Sequence, residues 1–349
     1  MKTDPLMNTS GDSMQVVTCV RPSELALSRR AIPRRGTGEV LIRVRRVGIC
    51  GTDMHIVRGT QPFLSYPRVM GHELAGEIAE APHDSPFRAG DPVFVIPYLS
   101  CARCSVCRKG RPNCCVNIQV LGVHRDGGLA EYLSIPEHFV RHAEGISLDD
   151  AAMIEFLAIG AHAVRRAGVL TGLRALVVGA GPIGMAAAIF CRMEGAKVAA
   201  IDDRQDRLQF CSRHLGVSHA LTTAEATAEH LAELTSGDLF DVVFDATGSS
   251  AAMNAGFGYV AHGGTYVFLS VVSDRISFSD PDFHRREMTL LASRNATTTD
   301  FDRVLKAMQA GDVPTRALNT HRTRLSEVAQ VLPTWMEPAS GVIKGIVEC

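Results

Sequence analysis

No run of apolar residues in this 349-residue chain approaches the ~20 that a membrane-crossing helix requires, so no membrane partner is expected. An excess of basic charge is missing too. Lys and Arg number 36 against 37 Asp and Glu, a net charge of −1, which lacks the basic footprint by which proteins hold nucleic acid. No internal repeat and no low-complexity segment interrupts the chain, which excludes solenoids and compositional linkers. The opening stretch, residues 1–13, lacks the apolar core of a secretion signal and reads as a disordered polar extension. A cytoplasmic location is therefore expected.

What is present describes a globular protein. Hydrophobic residues make up 46% of the chain and the mean hydropathy is +0.08, outside the range of disordered chains. The length suggests about two domains. From Gln15 to about Glu155, short strand-like runs alternate with Gly/Pro turns: Gln15–Val20, Val40–Val47, Leu74–Ala79, Val93–Pro97 and Ala130–Ile135. From about Phe156 to Ser293, strands and helices alternate. The strands are expected at Ala175–Val178, Lys197–Ile201, Ala220–Thr222, Val242–Asp245, Thr265–Leu269 and Met288–Leu291, with helices such as Ile183–Met193 and Gln205–His214 between them. Six strands with intervening helices fit a doubly wound parallel sheet. The tail from Arg294 to Cys349 returns to a helix, Asp300–Ala310, and short strands.

The apolar run ending at Val178 passes directly into Gly179–Ala180–Gly181–Pro182–Ile183–Gly184, a G-x-G-x-x-G turn followed by a helix. Gly179 permits the tight turn, Gly181 lets the backbone approach a pyrophosphate, and Gly184 permits close helix–strand packing. The amides and positive dipole of the helix start, at Pro182 and Ile183, favour phosphate. Asp202 ends the next strand, 18 residues past Gly184, where a carboxylate accepts hydrogen bonds from the adenosine ribose and repels a 2′-phosphate. NAD is expected over NADP. Asp203 adds to the repulsion, and Arg204 and Arg207 act against it.

Ten cysteines occur, and four of them, Cys101, Cys104, Cys107 and Cys115, have the spacing C-x2-C-x2-C-x7-C. Four thiolates at close range surround one tetrahedral zinc and leave no open coordination position, which defines a structural site. Cys114 competes with Cys115 for the fourth place. A second constellation, Cys50, His72, Glu73 and Glu155, mixes sulfur, nitrogen and oxygen donors and suits a catalytic zinc with an exchangeable position.

The run of Cys50–Gly51–Thr52–Asp53 with His55, Gly71–His72–Glu73 with Gly76, the four-cysteine lobe and the glycine turn, in this order, resembles the zinc-containing medium-chain dehydrogenases over nearly the whole chain from about Met14. The resemblance implies an α/β protein. A GroES-like, mostly-β catalytic domain of residues 14–155 and 294–349, with a structural zinc lobe at about 98–118, would join a Rossmann NAD-binding domain of residues 156–293. It implies two zinc ions per chain, NAD as cofactor, an active site in the interdomain cleft, and a homodimer or homotetramer. By the same resemblance, Cys50, His72 and Glu155 are the ligands of the catalytic zinc, although Phe156 stands where proline is usual after the Glu. Glu73 is the carboxylate that enters the zinc shell during ligand exchange. Asp53 orients the zinc-bound His, and Thr52 and His55 form the proton relay. The stretch from Asp245 to Gly248, with Thr247, leads to the nicotinamide, and Phe268 to Ser270 lie on the next strand of that site.

Further segments resemble the branch of this family that oxidises a sugar acid: Gln61–Phe63, Ser65–Arg68, Gly122–His124, Asp126–Gly128, Phe278–Pro281 and Ser293–Thr297. The activity they imply is NAD-linked oxidation of a secondary alcohol on a sugar acid or polyol, L-galactonate to D-tagaturonate first. Arg294 and His124 are the candidates for binding the acid group. Rival expectations are oxidation of sorbitol, galactitol or threonine, a zinc-free quinone reductase, and, more distantly, a non-catalytic NAD-binding protein.

Overall fold

A computed structural model of the chain describes residues 13–349, and the rest of the expected polar extension lies outside the described residues. Ser13, placed in that extension by the sequence, instead opens the first strand, Ser13–Arg21, paired with Ala31 of Glu24–Ala31. The chain divides into two compact units.

The first unit comprises the chain up to Leu99, Ile118–Met153 and Asn319–Cys349. Its spine is the long strand Glu39–Ile49, which pairs antiparallel with Glu73–Glu80, Tyr132–Pro136 and Lys344–Glu348. Val40, Ile42, Val44 and Val47 of this strand are buried with Leu74, Ile78, Val93 and Val347, so one face of a seven-stranded sheet closes over an aliphatic core. Register decides what the strand ends carry. Gly48 stands opposite Glu73 on one side and Ile346 on the other, and Gly345 stands opposite Ile49. The start of the second strand and the C-terminal strand therefore converge beside Cys50. A helix, Gly51–Arg58, follows at once, its N-cap Cys50.

The second unit comprises Ser100–Asn117 and Ile154–Leu318. Its sheet has six strands, all parallel, in the spatial order His219–Leu221, Lys197–Ile201, Arg174–Val178, Phe240–Asp245, Val260–Phe268, Thr289–Ala292. This is the 3-2-1-4-5-6 order of a doubly wound dinucleotide fold, in which ligands bind outside the carboxyl ends where the winding reverses. Central strands covered on both faces carry continuous apolar runs, and here Leu176, Val177, Val242, Val243 and Phe244 are at most 1% exposed. All six expected strands are present.

The structure draws the division between units differently from the sequence reading. The cysteine lobe groups with the parallel-sheet unit, and the return to the first unit comes at Asn319 rather than at 294. The reason is packing: the helix Thr298–Gln309 lies on the helix Ile154–Ala167, tied to it by Asp300.

Candidate active-site residues and metal centres

At the glycine turn each glycine answers to a separate constraint. Gly179 has φ of +93°, a left-handed conformation that side-chain-bearing residues avoid. A Cβ on Gly184 would stand 1.8 Å from the Gly179 carbonyl oxygen. A Cβ on Gly181 would meet only Arg207 Nη1, at 3.8 Å, so that side of the backbone is open to a phosphate group. Gly181 caps the helix Pro182–Met193, and Pro182 at its first turn gives up an amide the helix does not need there. Ile183 is half-buried on the same turn.

Asp202 closes the adjacent strand. Its Oδ2 accepts from the Ala180 amide at 2.6 Å and its Oδ1 from the Arg204 amide at 2.8 Å, so the carboxylate is fixed against the turn itself. Arg207 Nη1 approaches Oδ2 to 3.9 Å. Burial lowers the Arg207 pKa, and Asp202 opposes that shift. Arg204 is turned to Asp206 at 2.5 Å. On the other side of the winding reversal, Thr247 donates to Asp245 Oδ1 through its amide, at 3.0 Å, and its hydroxyl, at 2.9 Å. Asp245 is fully buried and burial pushes its carboxyl up; Oδ2 has no hydrogen-bond partner among the described residues. Phe268 pairs with Asp245 in register, and Ser270 Oγ accepts from the Gly248 amide at 3.0 Å. The segments expected at the nicotinamide thus meet at one edge of the sheet.

In the cysteine lobe the sulfurs of Cys101, Cys104, Cys107 and Cys115 all lie within 4.8 Å of one another, and Cys114 is not in that group. Cys104 Sγ is 3.3 Å from Cys107 Sγ and 3.9 Å from Cys115 Sγ. Cys115 Sγ accepts from the amides of Cys101 and Asn117, at 3.3 and 3.4 Å. The amides of Arg103 and Cys104 pull the Cys101 thiol down to about 6. Sulfurs this close, with amides favouring thiolate, repel one another unless a cation stands among them, and a closed tetrahedral zinc fits this donor set.

The second constellation assembles in the first unit from Cys50, His72 and Glu73, whose ligand atoms also lie within 4.8 Å of one another. Two ligand-bearing segments are drawn together by one carboxylate. Asp53, fully buried, accepts from the Cys50 amide at 2.9 Å through Oδ2 and from the Gly71 amide at 3.1 Å through Oδ1. Its distance to His72 Nδ1 is 4.0 Å. Its direct work in this geometry is to brace the backbone on either side of the donor set. Glu73 is held by Lys344, whose Nζ lies 2.7 and 2.8 Å from its two oxygens. Gly48 leaves the room, since a Cβ there would stand 2.0 Å from Glu73 Oε2. Glu155 is carried by the other unit, buried in the first turn of the helix Ile154–Ala167. Thr52 is half-buried in the first turn of the helix Gly51–Arg58. His55, one turn on and exposed, has its Nδ1 2.9 Å from Thr60 Oγ1.

The two acid-binding candidates lie in different units. His124 is exposed, accepts at Nδ1 from the Val120 amide at 3.1 Å, and stacks on Phe63 at 6.4 Å between centroids. Arg294 is exposed, with its carbonyl held by Asn113. Sequence reasoning passed over Lys344, Asn113, His162 and Asp300. The available signals were a lysine in an apolar C-terminal strand and a histidine within an apolar helix, Ile154–Ala167.

With this geometry in place, comparison with known proteins gives the class. The model of the alcohol dehydrogenase GroES-like domain matches residues 36–144, and that of the zinc-binding dehydrogenases matches residues 182–310. The chain belongs to the zinc-type alcohol dehydrogenases and is an oxidoreductase of the alcohol–carbonyl pair. Within that family it stands among the polyol and sugar-acid dehydrogenases. It is 42% identical to the L-galactonate-5-dehydrogenase of Escherichia coli over 96% of this chain and 99% of that protein. It is 32% identical to the D-altritol 5-dehydrogenase of Agrobacterium fabrum over 90% of this chain and 94% of that one. Among solved structures, the Escherichia coli alcohol dehydrogenase rspB, complexed with NADH, superposes with a TM-score of 0.91 at 26% identity, covering 97% of this chain and 100% of that one. A zinc-binding dehydrogenase of Sinorhizobium meliloti, bound to NADP, superposes with a TM-score of 0.89 at 26% identity, covering 97% and 99%.

Proposed function

We propose that this enzyme oxidises a secondary alcohol of a sugar acid with NAD, and that L-galactonate, converted to D-tagaturonate, is its substrate. The observation that carries the substrate is the 42% identity, end to end, with a relative named for that reaction. Asp202 carries the choice of NAD: its carboxylate stands at the turn, where a ribose 2′-phosphate would be repelled and ribose hydroxyls would find an acceptor.

Cys50, His72 and Glu155 would hold the catalytic zinc, and Cys101, Cys104, Cys107 and Cys115 the structural one. Bound there, zinc supplies Lewis acidity that makes the substrate alcohol acidic near neutral pH, and the nicotinamide accepts the hydride. The chain's own residues do the rest. Asp53 holds the Cys50 and Gly71 amides in place, so the sulfur and imidazole donors keep their spacing. Lys344 retains Glu73 beside them as a carboxylate available for ligand exchange. Thr52 takes the alcohol proton and His55, at the exposed end of the path, passes it to solvent. Thr247, Phe268 and Ser270 orient the nicotinamide end of the cofactor, and Gly179, Gly181, Pro182, Ile183 and Gly184 its pyrophosphate. Arg294 and His124 serve the substrate carboxylate.

A polyol substrate is the second reading, favoured by relatives named D-altritol 5-dehydrogenase and sorbitol dehydrogenase. NAD reduction across L-galactonate, other aldonates, sorbitol, galactitol and L-threonine separates the two. A clear preference for L-galactonate upholds the proposal. Turnover of neutral polyols with no acid oxidised discards the acid and leaves the zinc and NAD chemistry standing. A homodimer or homotetramer in the cytoplasm completes the proposal. No helix among the described residues is long and apolar enough to cross a membrane.

A further inference from the structure

The cysteine lobe is mostly exposed, yet one of its residues, Asn113, is 4% exposed and bonded in three directions. Its Nδ2 donates to the Arg294 carbonyl at 3.0 Å and lies 3.3 Å from His162 Nε2. Its own carbonyl accepts from Asn295 Nδ2 at 3.2 Å. The pattern fixes the histidine tautomer. His162 Nδ1 faces Asp300 Oδ2 at 2.8 Å and must donate to it, which leaves Nε2 as the acceptor for the second Asn113 N–H. Both amide hydrogens of Asn113 are therefore in use.

The turn so gripped is an unusual one. Asn295 has φ of +53°, in the left-handed region, and needs support to stay there. The Ser293 amide donates to the Phe268 carbonyl at 2.8 Å on one side of the turn. On the other, Thr297 and Asp300 close a capping box on the helix Thr298–Gln309, and Asp300 is held by Arg165 at 2.7 and 3.0 Å. Only Asn113 grips the middle, on both residues 294 and 295.

We propose that Asn113 is a positioning residue: it latches the cysteine lobe onto the turn at 293–297 and so sets where Arg294 stands. The four-cysteine site then has a task beyond local stability, because the fold of the lobe around its sulfurs decides where Asn113 reaches. The kinetic consequence rests on the reading of Arg294 as the partner of the substrate carboxylate; the conformational consequence does not.

Hydrogen exchange by mass spectrometry on the zinc- and NAD-loaded enzyme, with zinc counted in each sample, tests both. Asn113→Ala should speed exchange at 293–297 and at 160–166 by about tenfold, the scale of a lost buried hydrogen bond, with zinc content and exchange at 101–107 unchanged. Asn295→Gly, which keeps the left-handed turn and deletes one bond, should act in the same direction and more weakly, and it serves if Asn113→Ala does not fold. KM for L-galactonate should rise about fivefold in Asn113→Ala while kcat, and KM for galactitol, stay within about twofold, a split that general loosening of the fold would not produce. Unchanged exchange at 293–297 in both variants overturns the latch. Raised exchange, with KM for L-galactonate unmoved both there and in Arg294→Ala, upholds the latch and overturns the role given to Arg294.

Discussion

Lys344 Nζ sits 2.7 and 2.8 Å from the two oxygens of Glu73, with the lysine side chain 1% exposed and the glutamate fully buried. The lysine also donates to the Ile49 carbonyl at 3.2 Å, one residue before Cys50. A pair this far from water is poor evidence for stability in itself, since desolvation offsets most of the attraction, but removing one partner strands a charge in the interior. Its place beside Cys50 and His72 explains why it is kept: the pair holds a carboxylate against a donor set.

Lys344→Met should therefore destabilise the enzyme by about 3–5 kcal/mol in urea unfolding, and Lys344→Met combined with Glu73→Leu should recover much of that loss. If the double variant is no more stable than the single, the pair does not act as a unit.

Cys50→Ser removes the sulfur donor without disturbing the parallel-sheet unit. Turnover should disappear and zinc should fall to one per chain, while NADH binding followed by fluorescence stays near that of the parent. Full activity would remove Cys50 from the metal site. Loss of NADH affinity would contradict the separation of the two units' tasks.

Asp202→Ala deletes the acceptor fixed to the Ala180 amide. KM for NAD should rise by about tenfold or more, the scale of hydrogen bonds to a charged group, and the preference for NAD over NADP should shrink. An unchanged ratio of kcat/KM for the two cofactors would show that Asp202 does not discriminate between them.

Acid stability should depend on Asp300. Burial alone would raise its pKa, but the bonds from His162, Arg165 and Thr297 outweigh it and hold the carboxyl well below the usual carboxylate range. A group whose pKa is depressed by folding adds stability above its unfolded value, about 3.9, and loses it as pH falls from there towards the folded value. Asp300→Asn should thus be less stable than the parent at neutral pH, by about 1.5–3 kcal/mol, and the gap should narrow as pH drops below about 4. Thermal unfolding across that range gives the comparison; a gap constant with pH would mean that the Asp300 charge is not what is lost.

Much of this molecule was legible in the chain because it is written locally. The turn from Gly179 to Gly184, the strand before it, the helix after it and Asp202 at the end of the next strand lie within one βαβ stretch, and they meet as the spacing implies. The parallel strands were legible for the same reason: burial on both faces leaves an unbroken apolar run. Boundaries between units were not. The tail after Arg294 has the texture of the first unit, but the helix Thr298–Gln309 is claimed by the Ile154–Ala167 helix through Asp300, a partner of His162 at a separation of 138 residues.

By itself, then, the sequence determined the chemistry available: which residues can ligate a metal, where a dinucleotide phosphate can lie, and that four cysteines close one site. Local spacing and backbone stereochemistry suffice for that. Only the tertiary structure decided what holds those groups in position. Lys344 reaches Glu73 across 271 residues because strand register places Gly345 opposite Ile49 and Gly48 opposite Glu73. Asn113 reaches Arg294 across 181 because the cysteine lobe folds onto the parallel-sheet unit. Such pairings are set by register and packing, which bring together residues that no spacing along the chain relates.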